Sequence, residues 1–484
     1  MPRELVTLQV GQCGNQIGYR FWDLALREHA AYNKKAVFDE SLSSFFRNVD
    51  TSTEPHRNIP VGTGRGPIES LKARCLLIDM EEGVVNEMLK APIAEIFDHR
   101  QLLTDVSGSG NNWAHGHNFY GPKYRDSIGE KIRATVEECD SLQCFLMIHS
   151  LGGGTGSGLG SYILEMIKDE YPEVYRFALS VFPSEDDDVV TSPYNAMMSA
   201  SSLIKHADCV LPVENQALMD ICTSVEQRGR RGVTKAGTAI TGDPSKQRGT
   251  KGSKPFDAMN GIAANLVLNL TSSVRFEGPL NVDLNEITMN LVPFPGMHFL
   301  VSSMSPLIGY KDVGKLADVP RSIDQVFRDV FSRENQLAKC DPVNSTYLAC
   351  GLFLRGSMTI SDINRNCAKI RPKLRFPSWN TEGFKLGMCA HPPIGIRSSA
   401  LCLSNNTCIV STFSAMQQRF QKLYKRKVYL HHYAEYMDPC FFDEASESML
   451  NVMSDYARFD GGLSGKEPQQ PPDLTLKSVG LSLA

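Results

Sequence analysis

The sequence predicts an α/β fold that begins with a Rossmann-like parallel sheet. From residue 4 to about residue 215, short apolar runs alternate with segments of helical spacing, joined by turns that contain glycine or an acid. Parallel strands need such helical crossovers, and ligands gather at the carboxyl ends of those strands. The apolar runs lie at residues 5–10, 75–78, 142–148, 177–182 and 209–213, with a weaker one near Leu102.

The rest of the chain predicts a central buried helix, a second mixed α/β domain and a C-terminal helical hairpin. The central stretch is apolar on nearly every side, which is typical of a helix buried all round. The stretch before it holds eight basic residues and one acid between 228 and 254, and it has too few large apolar residues to order itself. We predict these units: 1–222 sheet domain, 223–254 basic flexible insertion, 255–275 central helix, 276–410 intermediate domain, 411–460 C-terminal helices, 461–484 flexible tail.

Composition excludes several classes of protein. The 484 residues suggest about three domains at roughly 150 residues each. Hydrophobic residues make up 42% and charged residues 21%, as in ordinary globular proteins. There is no apolar stretch near the roughly 18 residues of a membrane span, no secretory apolar core and no CxxC pair among 13 cysteines, so we expect a soluble, intracellular chain without a disulfide framework or zinc site. The net charge of −4 gives no global attraction to nucleic acid or membranes.

The strongest local motif is HSLGGGTGSGLG at residues 149–160, between an apolar run and a helical segment. Its five glycines in residues 152–158 let the backbone approach a ligand, while the following helix offers free amides to phosphate. A tight turn without a ligand is the simpler alternative. A Walker A loop is excluded because no lysine follows the glycines, and the GxGxxG dinucleotide motif fails because Leu159 stands where its third glycine belongs.

Three further turns fit around the same site. VGQCGNQ (10–16) follows the first apolar run, IDMEEG (78–83) ends another with acids, and SGSGNNWAHGH (107–117) is a glycine-rich turn before a helix. Gln12 can reach phosphate or metal-bound water, and the acids suit Mg²⁺, which prefers hard oxygen ligands. Each turn alone is a weak signal, but together they predict four ligand-facing loops on one edge of the sheet.

At these residues the chain resembles the tubulin/FtsZ family. GQCGNQIG, GSGNNWAHGH, HSLGGGTGSG, SPYNA, RFEGPLNVDLNE and NLVPFPGMHF stand in tubulin order and spacing, over about residues 1–460. FWDLALREHAAYN, IDMEEGVVNEML and LLTDVSGSGNNWA look most like the epsilon class of the family. The tail lacks the poly-glutamate run of the alpha and beta classes.

The resemblance implies a GTP/GDP pocket with Mg²⁺ near Glu81. Asn215 and Asn260 would read guanine, Phe256 would take the place of a stacking tyrosine, and Asp188 would lie by the ribose. Taken alone, Asn215 is also a possible helix cap, and Phe256 a possible core residue. The implied nucleotide-binding residues are Gly11, Gln12, Cys13, Gly110, Asn111, Ser150, Gly153, Gly154, Thr155, Gly156, Asp188, Asn215, Phe256 and Asn260.

The resemblance also implies where hydrolysis would take place. Glu286, in GPLNVDLNE, falls on the position of an acid that enters the nucleotide pocket of the next subunit and polarises the attacking water, so a GTPase site would be completed only at a subunit contact. The alternative is a solvated acid that stabilises a helix N-terminus.

The expected function is that of a GTP-binding cytoskeletal protein, a structural component of centrioles or basal bodies in the cytoplasm. Its implied partners are other tubulins, with delta-tubulin as the suggested longitudinal neighbour, and centriolar proteins. Neither a membrane nor nucleic acid is expected, although the basic insertion could bind an acidic tail of another tubulin or a nucleic acid. A dinucleotide-binding dehydrogenase and a tubulin that binds GTP without hydrolysing it are the alternatives.

Overall fold

The computed structural model describes residues 3–33, 38, 40–52, 57–62, 68–184, 187–234, 256–276, 278–307, 322–381 and 383–460. The predicted tail (461–484) and most of the predicted insertion (235–254) lie outside these residues.

A six-stranded sheet forms the first domain, and all its neighbouring strands are parallel, with the order β6-β5-β1-β7-β8-β9. The α/β prediction is therefore confirmed. The strands that follow β1 extend the sheet in one direction, and those that follow β7 extend it in the other, so the switch point of the topology lies between β1 and β7. In such sheets, ligands bind at the carboxyl ends of the strands beside this point. The strands are β1 (Glu4–Val10), β5 (Cys75–Asp79), β6 (Leu102–Thr104), β7 (Leu142–Ser150), β8 (Tyr175–Phe182) and β9 (Cys209–Glu214).

Helices cover both faces of this sheet. Successive side chains of β1 point to opposite faces, and both Leu5 and Val6 are fully buried, because each face packs on its own apolar cluster. The helices of this domain are α1 (Gly11–Tyr32), α2 (Glu82–Leu89), α3 (Gly121–Glu137), α4 (Gly160–Glu170), α5 (Ser192–His206) and α6 (Asn215–Thr234). A small antiparallel sheet flanks them, formed by β2 (Phe46–Asp50), β3 (Arg57–Ile59) and β4 (Leu71–Ala73).

The helix α6 continues past residue 222, where we predicted the insertion to begin, and runs to Thr234. Its second half, VEQRGRRGVT, is poor in apolar residues but contains Glu, Gln and Arg, which favour helix. The absence of an apolar stripe therefore did not mark the end of this helix.

The central helix α7 (Asp257–Leu270) lies against α1 and α6, and most of its residues are buried. The side chain of Arg20 on α1 donates hydrogen bonds to Asp257 at the start of α7. A further turn, α8 (Ser272–Arg275), follows it.

The second domain is built on a mixed four-stranded sheet with the order β10-β13-β11-β12, in which β11 and β12 are parallel and the other pairs antiparallel. Its strands are β10 (Leu300–Ser305), β11 (Tyr347–Gly356), β12 (Phe384–Cys389) and β13 (Ser398–Asn406). Its helices are α9 (Leu284–Leu291), α10 (Ile323–Val330) and α11 (Ile360–Ile370).

The C-terminal helices α12 (Ile409–Tyr424), α13 (His431–Ala434) and α14 (Cys440–Phe459) form an outer layer. Both α12 and α14 pack on α5 of the first domain. Shorter helical turns lie at Glu40–Ser44, Ala94–Ile96, His99–Gln101, His115–Tyr120, Thr155–Leu159, Arg333–Asn335, Arg371–Lys373 and Ser378–Asn380. Within the described ranges, none of the helices combines the length and hydropathy needed to cross a membrane.

Candidate nucleotide-binding site

A cavity of about 320 Å³ lies at the carboxyl ends of the parallel strands. Loops that follow β1, β5, β6, β7, β8 and β9 contribute to its wall, and α7 closes it from the side. The cavity therefore sits at the switch point of the sheet, where the first-domain topology predicts a ligand.

Most of the predicted site residues line this one cavity. They are Gly11, Gln12, Cys13, Glu81, Gly110, Asn111, Ser150, Gly153, Gly154, Thr155, Gly156, Asn215, Phe256 and Asn260. Asp188, which we predicted near the ribose, is not among the described residues of the cavity wall, whereas its neighbour Asp187 is. Glu286 lies elsewhere, as its predicted role on another subunit requires.

The glycine-rich loop after β7 meets the start of α1 at very close range. Gly11 has φ +74°, and a Cβ there would lie 2.9 Å from the backbone nitrogen of Gly156. A Cβ on Gly154 would lie 2.7 Å from the backbone nitrogen of Asn112. Only residues without a side chain allow three loops to converge this closely, so the glycine pattern serves backbone approach.

His149, near the end of β7, holds the glycine-rich loop in place through a hydrogen bond. Its Nδ1 is 2.9 Å from the carbonyl oxygen of Gly156, and its Nε2 is 2.9 Å from the hydroxyl of Ser180 on β8. A carbonyl can only accept, so Nδ1 carries the proton, and Nε2 is free to accept from the hydroxyl. Burial lowers the pKa of His149 to about 4, so the imidazole is neutral at pH 7.

The loop at residues 107–112 forms the opposite wall. Gly110 and Asn111 both have positive φ, at 57° and 54°. The hydroxyl oxygens of Ser109 and Thr155 lie 2.8 Å apart, which joins this loop to the glycine-rich loop. Several polar groups therefore meet on one side of the cavity, as a polyphosphate would need.

Two carboxylates face the same end of the cavity. Asp79 ends β5 and is only 3% exposed, and its Oδ2 has no hydrogen-bond partner within the described structure. Burial raises the pKa of Asp79 to about 7, with the nearby Glu81 carboxylate acting in the same direction. A buried carboxylate oxygen without a partner, beside a second acid, fits a hard divalent cation such as Mg²⁺.

The other end of the cavity carries amide side chains. Asn215 begins α6, and Asn260 lies on α7, where its Nδ2 is 3.3 Å from Oε1 of Gln16. Phe256 precedes α7 with φ 65° and is 56% exposed, so it is not a core residue. Amides and an open ring face are the groups that hydrogen-bond to and stack on a purine base.

Cys13 lies between these two ends of the cavity. Burial, aided by the charge of Asp187, raises the pKa of its thiol to about 12. The thiol therefore stays protonated and acts as a packing group.

Glu286 lies at the opposite end of the first sheet from the cavity. Arg3, directly before β1, pairs with Asp283, directly before α9, whereas Gly11 at the other end of β1 lines the cavity. The seven residues of β1 span about 23 Å at 3.3 Å per residue. The acid and the cavity of one chain therefore face opposite ways.

Sequence reasoning did not identify Asp79 and Gln16, which line the cavity, or Asn195, which donates hydrogen bonds to two residues of its wall. The sequence did contain a signal for Asp79, because this acid ends an apolar run two residues before Glu81. Gln16 is the last residue of the VGQCGNQ motif and lies one helical turn after Gln12. Asn195 lies in the SPYNA motif, but its contacts with distant loops give no local pattern.

Comparison with known proteins agrees with this architecture. A family model described as the GTPase domain of the Tubulin/FtsZ family matches residues 4–223, and one described as the Tubulin C-terminal domain matches residues 295–418. The tubulin epsilon chain of Homo sapiens is 53% identical over 464 residues, covering 94% of this chain and 96% of that protein.

More distant relatives cover the chain almost as completely. The tubulin alpha-3 chain of Saccharomyces cerevisiae is 33% identical and covers 94% of this chain and 97% of its own length. The nucleomorph tubulin beta chain of Guillardia theta is 32% identical, with coverages of 98% and 100%. The higher identity to the epsilon chain confirms the resemblance found in the sequence motifs. Because the similarity extends from the parallel sheet with its cavity to the C-terminal helices, the chain belongs to the tubulin/FtsZ family of cytoskeletal proteins.

Proposed function

We propose that this chain binds GTP or GDP in the cavity at the carboxyl ends of the parallel strands. The observation that carries the proposal is the convergence of the glycine-rich loop, the loop at 107–112 and the start of α1 on one cavity. Backbone amides and a helix N-terminus, without a lysine, would bind the phosphates. The family match to a GTPase domain supports guanine over other bases.

Each end of the cavity has its own part in the proposed complex. Asp79 and Glu81 would hold Mg²⁺, which when bound neutralises phosphate charge. Asn215 and Asn260 would hydrogen-bond to the guanine edge, and Phe256 would stack on the ring without the hydroxyl of a tyrosine. Asp187, which lines the cavity, is better placed for the ribose than Asp188.

We further propose that hydrolysis is completed across a subunit contact. The acid Glu286 and the cavity face opposite ends of the same sheet, so a head-to-tail contact between two subunits would bring the acid of one to the nucleotide of the next. There the Glu286 carboxylate would orient the attacking water and accept its proton. A chain that keeps GTP intact as a structural ligand is the alternative.

In cells, the proposed role is that of a structural component of centrioles and basal bodies, within the cytoplasmic cytoskeleton. Other tubulins would be its longitudinal partners, delta-tubulin among them, and centriolar proteins would bind the assembly. The similarity to tubulin epsilon chains supports a role within the epsilon class of the family. Co-purification of the native full chain, with identification of the bound nucleotide and of the partner chain, tests both points.

Nucleotide selectivity tests the central proposal. We expect GTP and GDP to raise the thermal unfolding temperature of the full chain, because a ligand at 100 times its Kd adds about 2.7 kcal/mol. ATP and NAD should leave it unchanged. Asn260→Ala should abolish the guanine effect, whereas Asn265→Ala, on α7 but outside the cavity wall, should preserve it. Stabilisation by NAD instead would support a dehydrogenase and overturn the proposal.

Hydrolysis across the contact needs a second experiment. Glu286→Ala should bind GTP like the unmodified chain, because its own cavity is intact. In a defined co-assembly, it should abolish hydrolysis of GTP loaded on the partner subunit that Glu286 contacts. Unchanged turnover there would remove Glu286 from the mechanism.

A further inference from the structure

The buried side chain of Asn195 joins two loops of the cavity. It lies on α5 and is 0% exposed. Its Nδ2 donates hydrogen bonds to the carbonyl oxygens of Asn111, at 2.8 Å, and Gly152, at 2.9 Å. Both of these residues line the cavity, so one amide group sets the separation of two opposite walls.

The other side of the same amide is also fully used. Its Oδ1 accepts from the backbone N–H of Trp113 at 2.9 Å and from the hydroxyl of Tyr433 at 2.6 Å. Carbonyl oxygens can only accept and a backbone N–H can only donate, so these partners fix the orientation of the amide. All four of its hydrogen-bonding positions are occupied.

Tyr433 belongs to α13 in the outer helical layer and is not among the described residues of the cavity wall. It is 1% exposed and packs on Tyr194 with ring centroids 5.4 Å apart. Two more bonds join the segment around Tyr433 to the loop at 107–112 and to the turn that follows it. Asn112 Nδ2 donates to the carbonyl of His432 at 2.8 Å, and Asn118 Nδ2 donates to that of Tyr436 at 2.9 Å.

We propose that Asn195 is a positioning residue for the bound nucleotide, and that Tyr433 holds it in place from the outer helical layer. The amide fixes the glycine-rich loop against the loop at 107–112, and the tyrosine hydroxyl fixes the amide. Nucleotide affinity therefore depends on a hydroxyl that does not touch the nucleotide. This inference rests on the proposed guanine-nucleotide site.

The chain offers a matched control in the same aromatic cluster. Tyr194 is fully buried, and its hydroxyl donates to the carbonyl of Val428 at 2.8 Å. Tyr433→Phe and Tyr194→Phe each remove one buried hydroxyl, but only the first breaks the link to Asn195. Loss of packing or of general stability would affect both variants alike.

The test measures affinity and dissociation rate of a fluorescent GDP analogue on the full chain, and thermal unfolding without added nucleotide. Tyr433→Phe should weaken affinity about fivefold, mainly through faster dissociation, because one hydrogen bond is lost. Tyr194→Phe should stay within about twofold of the unmodified chain. The unfolding temperatures of the two variants should fall by similar amounts.

Asn195→Asp provides a stronger perturbation, because it places a carboxylate oxygen against the carbonyls of Asn111 and Gly152. Affinity should fall by at least about tenfold. If this variant does not fold, the two tyrosine variants still decide the question. If the unmodified chain binds GDP and the Tyr433→Phe and Tyr194→Phe variants bind it with equal affinity, the inference is overturned but the proposed function is not. Failure of the unmodified chain to bind guanine nucleotide would overturn the proposed function, and the inference with it.

Discussion

Glu286 Oε2 lies 2.6 Å from Lys385 Nζ, which joins the first turn of α9 to β12. Both side chains are partly exposed, at 43% and 29%. The acid proposed to act on a neighbouring subunit is therefore held by a lysine of its own chain. A partly exposed ion pair of this kind contributes about 0.2–1 kcal/mol to folding, so it can open at a subunit contact without a large penalty.

Exchange of the two charges separates the structural role of this pair from the proposed catalytic one. Each single change, Glu286→Lys or Lys385→Glu, should lower the free energy of unfolding by about 1 kcal/mol through like-charge repulsion. The double variant should recover most of that loss, as measured by chemical denaturation. In a co-assembly, the double variant should not support hydrolysis of the GTP bound to the neighbouring subunit, because its carboxylate then lies on β12. Recovery of hydrolysis in the double variant would contradict the assignment of Glu286.

Asp79 should stabilise the nucleotide complex and destabilise the chain without nucleotide. Its buried Oδ2 has no partner within the described structure, and an unpaired buried carboxylate opposes folding. Asp79→Asn should therefore raise the unfolding temperature of the nucleotide-free chain. It should also weaken nucleotide affinity in the presence of Mg²⁺ by about tenfold.

The control for this prediction omits the metal. With EDTA present, Asp79→Asn and the unmodified chain should bind GDP equally. A variant that loses affinity to the same extent with and without Mg²⁺ would indicate a direct contact of Asp79 with the nucleotide.

His149 should make folding stability depend on pH. Burial lowers its pKa from 6.5 to about 4, so the unfolded chain takes up a proton in this window and the folded chain does not. The contribution is complete above pH 6.5 and is lost as the pH falls towards 4, by roughly 3 kcal/mol in all. His149→Asn keeps a donor for the Gly156 carbonyl but cannot take up this proton.

The measurement compares unfolding free energies between pH 7.5 and 4.5. His149→Asn should be less stable at pH 7.5 but should lose stability less steeply on acidification than the unmodified chain. His99→Asn, at an exposed position, should keep the original slope. Identical slopes for both variants would show that His149 is not the group responsible.

The sequence predicted those parts of the fold and site that depend on neighbouring residues. The glycines at 152–158 and the apolar runs before the cavity loops are local patterns, because a close backbone approach needs glycine wherever it occurs. The motif resemblance added Asn215 and Asn260, which no local rule singles out. The helix α6 extends further than predicted, to Thr234, because residues that favour helix continue beyond the end of the apolar pattern.

Contacts across long separations could not be predicted in this way. Asn195 is hydrogen-bonded to Tyr433, 238 residues away in the sequence, and to Asn111, 84 residues away. Asp79 resembles any acid at the end of a strand until the fold shows its burial. The choice between Asp187 and Asp188 depends on how one short loop turns, which the repeated acids in the sequence do not determine.

Glu28 should be an important charge for stability outside the cavity, because it holds together three elements of the two domains. It lies on α1, is 5% exposed, and bonds to Arg275 on α8 at 2.7 Å and to Arg355 on β11 at 3.0 Å. Burial alone would raise the pKa of Glu28, but the two guanidinium groups outweigh this effect and hold the pKa below its usual value.

Glu28→Gln would remove the carboxylate that, among the described residues, pairs with two fully buried arginines, so it should lower the free energy of unfolding by about 3–5 kcal/mol. Glu130→Gln removes the carboxylate of an exposed pair with Arg133, and it should change stability by less than about 0.5 kcal/mol. Chemical denaturation of the full chain measures both. Similar losses for the two variants would mean that water reaches Glu28 and its arginines, and that this cluster does not join the two domains.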